Sequence, residues 1–211
     1  MLDLPELLVE YDRARAYTDA LWRDLSSEEV HWRPTPDSSA IGWHLGHQAH
    51  VAHFMLRNLT AAEASPNPAL DALMDSANPE PGRGNLPSLD QLAAFRATVA
   101  ARIHAQMTAI DARDVGAPAQ QRTVGRHVLT LVINHEYQHD RWIGEVREHD
   151  LGHSLPPEPM RPPYPRRQLP DARRLRRRAS GGASRPTIAF FEVTDPDGHV
   201  VVRDSHVVGH V

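Results

Sequence analysis

Val128-Leu129-Thr130-Leu131-Val132-Ile133-Asn134-His135-Glu136-Tyr137-Gln138-His139-Asp140-Arg141-Trp142-Ile143-Gly144-Glu145-Val146 reads as one amphipathic helix with histidines where leucines belong. At about 100° per residue, Val128, Val132, His135, His139, Trp142 and Val146 fall within about 40° of one line. Burying two imidazoles in such a stripe costs roughly several kcal/mol unless each finds a partner. A shared metal ion satisfies both, since histidines four apart on one face can grip a single ion. His135-Glu136-Tyr137-Gln138-His139 also fits the H-E-x-x-H pattern of zinc peptidases, in which the Glu is a general base. Glu136 falls at the edge of the stripe.

Working outward, the same periodicity predicts three more long helices. The first spans about 4–24, with Leu4, Leu7, Leu8, Tyr11, Ala14, Tyr17 and Leu21 mostly three or four apart. Ser26-Ser27-Glu28-Glu29 resembles the capped start of a short turn. Pro34-Thr35-Pro36-Asp37 is a break, and a second helix follows from Ser38 or Ser39 to about Leu59. Residues 64–88 hold five prolines and read as a surface loop. Ser88 caps a third helix running to about Ile110, residues 111–122 read as a linker, and the fourth helix opens at Thr123 and ends near Glu148. Four long helices with mostly short joints predict an all-α fold, a four-helix bundle over residues 1–152. Residues 153–186 are rich in Pro and Arg and read as a flexible linker. Residues 187–211 read as a short C-terminal β-hairpin tail, turning at Asp195-Pro196-Asp197-Gly198.

Composition narrows the chemistry. The 211 residues contain no cysteine, so a transition metal must be held by His and carboxylate. Of the 14 histidines, ten precede residue 152, mostly in clusters on the expected helices. Residues 1–150 hold 13 Arg against 21 Asp and Glu, a poor nucleic-acid surface. Eight arginines between Arg161 and Arg178 suit a solvated linker better than a nucleic-acid arm. No run of about 18 apolar residues suggests a membrane span, and the first residues do not read as a signal peptide. A cytoplasmic location is the default expectation.

A metal needs a third protein ligand. The second helix offers His44, His47, His50 and His53, whose three-residue steps drift round the helix so that they do not share one face. His50 and His53 point away from the main stripe of Ile41, Leu45, Ala49, Ala52 and Leu56, and read as solvated or as neighbours of the site. His44 at the stripe's edge and His47 on a second apolar face stay tied. His104 and His127 read as ordinary, partly exposed histidines. The peptidase pattern is incomplete: its extended form wants Gly and His where Trp142 and Glu145 stand, and no strand precedes the motif.

His31-Trp32-Arg33-Pro34, then Ser39-Ala40-Ile41-Gly42-Trp43-His44-Leu45-Gly46-His47, then Asn134-His135-Glu136-Tyr137-Gln138-His139-Asp140 resemble the DinB/YfiT-like superfamily over roughly residues 1–150. The arrangement is similar to the N-terminal domain of ergothioneine-type sulfoxide synthases. The resemblance implies a four-helix bundle with a divalent metal, zinc, nickel or iron, held by three histidines. The family's ligands map to His47, His135 and His139, which breaks the tie between His44 and His47. Imidazoles alone do not choose among the metals. Some members resemble thiol-dependent transferases or isomerases for low-molecular-weight thiols, some look like hydrolases, and many have no known reaction. The expected function is therefore a metal-dependent transferase or hydrolase with a small-molecule substrate, possible pairing into a homodimer, and no membrane or nucleic-acid partner. A non-catalytic metal or small-ligand binding bundle is the alternative, and a zinc peptidase a weaker one. Glu136 is the candidate catalytic base if it turns toward the metal. Trp43, Trp142 and Tyr137 are candidate pocket walls, and Gln138 or Asp140 candidate orienters of a ligand imidazole.

Overall fold

Asp3 opens the chain's first helix by a capping box, its carboxylate accepting the Glu6 N–H while Glu6 reaches back to the Asp3 N–H. A computed structural model describes residues 2–57, 59, 63–78 and 83–159, together with the backbone of 192–194 and 200–203. The helices are α1 (Leu4–Trp22), α2 (Ser27–His31), α3 (Ile41–Leu56), α4 (Pro68–Leu73), α5 (Leu89–Asp111) and α6 (Pro118–Glu145). A π-helical turn, Val146–Asp150, ends α6. Ser26 and Ser88 cap α2 and α5 by the same reciprocal device as Asp3.

Two boundaries differ from expectation. The fourth long helix starts at Pro118, inside the expected linker, because proline at the first helical position carries no N–H to leave unpaired. Within the expected loop 64–88, Asn67 caps α4, again with proline at the first position. Five prolines disguised a helix that one of them starts.

The long helices pack α1 on α6, α3 on α5 and α6, and α5 on α1 and α6. Their shared core holds Leu4, Leu7, Tyr11, Leu56, Val99, Ile103, Met107, Leu129, Val132 and Ile133, all buried. A second cluster around Leu21, Val30, Ile41, Leu45, Ile143 and Val146 closes the other end. Arg147 seals that end, donating to the Leu21 and Ser154 carbonyls and to both Asp24 carboxylate oxygens. The described part of this unit is all-α, and no helix among the described residues is long and apolar enough to cross a membrane.

Chain contacts separate a second unit, Gln168–Val211, from the first, Met1–Arg167. In it, β1 (Glu192–Thr194) and β2 (Val200–Arg203) pair antiparallel, Glu192 opposite Arg203 and Val193 opposite Val202. The remainder of the expected tail, and residues 160–186 of the expected linker, lie outside the described residues.

Candidate metal centre

The stripe histidines of α6 meet α3. His47, His135 and His139 each offer a ring nitrogen, and these nitrogens all lie within 4.8 Å of one another. His135 Nε2 and His139 Nε2 are 3.1 Å apart. A tetrahedral ion with metal–nitrogen bonds of about 2.0–2.1 Å sets its ligand atoms about 3.3 Å apart. The His135–His139 spacing is already close to this value, and the third nitrogen lies within 4.8 Å of both. Their protonation fits as well. Burial, chiefly, holds His135 and His139 well below the usual imidazole range and His47 down to about 4, so all three present neutral lone pairs.

Each ring is held. His47 Nδ1–H donates to the Met74 carbonyl at 2.8 Å, which fixes the tautomer and leaves Nε2 as the ligand atom. His139 Nδ1 is 2.8 Å from His44 Nδ1. Trp43 stacks on His47, with ring centres 4.5 Å apart and planes 12° off parallel, and the Arg83 guanidinium lies 4.2 Å over the Trp43 ring. Trp142 meets His139 edge-on at 4.8 Å. Arg83 also donates to the Ser76 and Asn78 carbonyls and the Ser39 hydroxyl, pinning the loop that carries Met74. Gly46 makes the approach of Met74 possible: a Cβ there would sit 2.4 Å from the Met74 sulfur. Each marked residue of Trp43-His44-Leu45-Gly46-His47 thus has a separate task around one site.

A family model described as the DinB superfamily matches residues 10–143, a stretch that includes all three histidines. The chain belongs to the DinB superfamily. No curated protein matches it. In this DinB protein the residues flanking the histidines build a second, dry polar cluster. The Gln48 amide donates to the Glu136 carbonyl and to Asp140 Oδ1, and the Thr18 hydroxyl donates to the same Asp140 oxygen at 2.6 Å. Arg96 donates to Gln48 Oε1 and to the Leu45 carbonyl, and its other nitrogen lies 3.5 Å from Glu136. Burial, and then the charge of Glu136, push the Asp140 carboxyl well above the usual carboxylate range.

The expected site residues divide accordingly. His47, His135 and His139 come together, and Trp43 and Trp142 flank them. Glu136 is 1% exposed and faces Arg96 and Thr18. Tyr137 turns to Glu10 of α1, away from any pocket role, and Asp140 holds Thr18 and Gln48 in place of a ligand imidazole. The groups that lie against the His139 and His47 rings are His44 Nδ1 and the Met74 carbonyl. Of the two histidines expected to be solvated or neighbours of the site, His53 is buried and His50 pairs with Asp71 of α4. His104 pairs with Asp12. Sequence reasoning missed Met74, Arg83, Arg96, Gln48 and Thr18. A glycine in the middle of α3 was the one available signal that something packs closely there.

Proposed function

We propose that this chain is a divalent-metal-dependent enzyme of DinB type, a four-helix bundle whose ion is held by His47, His135 and His139. Its reaction is a thiol-dependent transfer or a hydrolysis on a small molecule. The observation that carries the reading is the convergence of one ring nitrogen each from His47, His135 and His139 within 4.8 Å of one another, with His47 Nδ1–H tied to the Met74 carbonyl. When bound, the ion supplies a Lewis-acid centre that brings the pKa of a water or thiol toward neutrality. Three protein ligands leave positions open for such a group. Trp43 and Trp142 shield the imidazoles from water on two sides. Zinc, nickel and iron all suit three imidazoles.

The engagement of Glu136 with Arg96 weighs against the peptidase reading, whose base must reach the metal. The non-catalytic binding bundle is separated by turnover. Metal analysis of the purified protein beside His47→Ala is the first test: one ion per chain is expected in the parent and loss of it in the variant. A metal-free native protein with full stability refutes the site. Metal-dependent consumption of a thiol adduct in added thiol then supports the enzyme over the binder, and its absence across thiol and ester substrates favours the binder.

A further inference from the structure

We infer that His44 is a positioning residue: its Nδ1 accepts the Nδ1–H of His139 and so turns His139 Nε2 toward His47 and His135. This inference rests on the three-histidine reading above and deepens it. Two ring nitrogens 2.8 Å apart require one donor and one acceptor. If His139 Nε2 is to offer its lone pair beside His135 Nε2, the His139 proton must sit on Nδ1, and His44 must accept it. His44 is then the Nε2–H tautomer.

The usual partner for a metal-binding imidazole is a carboxylate or a carbonyl. Two carboxylates lie within a turn of His139, but Glu136 faces Arg96, Asp140 Oδ1 takes Thr18 and Gln48, and the ring nitrogens of His139 stand instead against His44 and His135. An imidazole from the neighbouring helix takes their place. His44 is held for the task, with Trp43 edge-on at 5.5 Å and Trp142 at 5.7 Å. It is not itself a ligand by this geometry. The group of nitrogens that converge contains His47, His135 and His139 without it, and 2.8 Å is a hydrogen-bond distance, shorter than the spacing of two nitrogens on one tetrahedral ion. The two histidines of Trp43-His44-Leu45-Gly46-His47 therefore divide the work: His47 binds the ion, and His44 aims a ligand on α6.

The test uses the full chain and zinc alone, with affinity read by competition against a chelating dye. His44→Phe keeps the ring volume and removes the acceptor, whereas His44→Asn returns an acceptor near the Nδ1 position. His44→Phe is expected to weaken zinc binding about 10- to 100-fold at unchanged stoichiometry. His44→Asn is expected to recover most of that loss, and the visible bands of the cobalt-loaded protein should move in the Phe variant and return in the Asn variant. Nitrogen-15 spectra of the zinc-loaded parent give a reading that needs no variant: His139 should carry its proton on Nδ1 and His44 on Nε2. Equal affinity of parent and His44→Phe, or a proton on His44 Nδ1, overturns the inference alone. Loss of binding as complete as in His135→Ala, without rescue by Asn, makes His44 a ligand and also overturns it. A parent that binds no zinc overturns the three-histidine reading and this inference together.

Discussion

Gly46→Ala sets two known effects against each other. In the middle of an exposed helix the change is favourable by about 1 kcal/mol, because alanine is the better helix former. At position 46 the added methyl would lie 2.4 Å from the Met74 sulfur and 2.8 Å from its Cγ and Cε. Ordinary contact is about 3.5–4.0 Å, so Met74 must retreat by roughly 1 Å. It has little room, being fully buried among Trp43, Leu73, Leu86, Leu89 and Leu92. Overpacking of this kind costs about 1–3 kcal/mol. With the helix gain subtracted, a net loss of up to about 2 kcal/mol is expected in urea unfolding of the metal-free protein. The retreat also moves the carbonyl that holds His47 Nδ1, so zinc affinity should fall toward the 10- to 100-fold range typical of lost orienting contacts. Combining Gly46→Ala with Met74→Ala should give less destabilisation than the two single changes added, because the methyl enters the space the methionine left. A Gly46→Ala protein that gains about 1 kcal/mol and binds zinc as tightly as the parent would show that Met74 does not fill that notch.

Other consequences can be measured on the same material. Arg96→Leu leaves Glu136 charged and without its cation in a dry core, and should cost about 3–5 kcal/mol in chemical denaturation; a loss under about 1 kcal/mol would mean the pair is solvated. Asp140→Asn keeps the oxygen that Thr18 and Gln48 bond and removes a carboxyl whose ionisation burial disfavours, so stability at pH 7 should stay level or rise. A large drop there would show a charged Asp140. For pH, burial lowers His44 to about 3 and His47 to about 4, against 6.5 in the unfolded chain. Between pH 6.5 and about 4 the unfolded state binds more protons, so stability of the metal-free protein should fall with pH, by at most about 2–3 kcal/mol per unit from these two groups. Flat stability between pH 6.5 and 5 would contradict neutral buried imidazoles.

The sequence was most legible where one periodic signal carried both fold and site. His135 and His139 stand in the apolar stripe of α6, so the helix, its buried face and the paired histidines were read together. His47 needed the family pattern, because α3 is buried nearly all round and its wheel has no polar face to exclude candidates. That same burial hid His44, whose role depends on a partner 95 residues away. The helix α4 was hidden by the prolines of its loop, and with it the Met74 carbonyl and the burial of His53. Glu136 misled for a different reason. In H-E-x-x-H its neighbours suggest chemistry, but its direction is set by Arg96, and no local spacing in α6 announces a cation on α5.

The tie between Gln48 and the pair Glu136–Asp140 lies one residue along from His47 on α3 and beside both ligands on α6. It latches the two ligand-bearing helices in register using bonds that contain no metal atom. In a zinc finger the ion assembles the fold and its removal undoes it. Here Gln48 ties α3 to α6 through amide and carboxyl groups of the chain itself, so the register of the two helices has a source other than an ion.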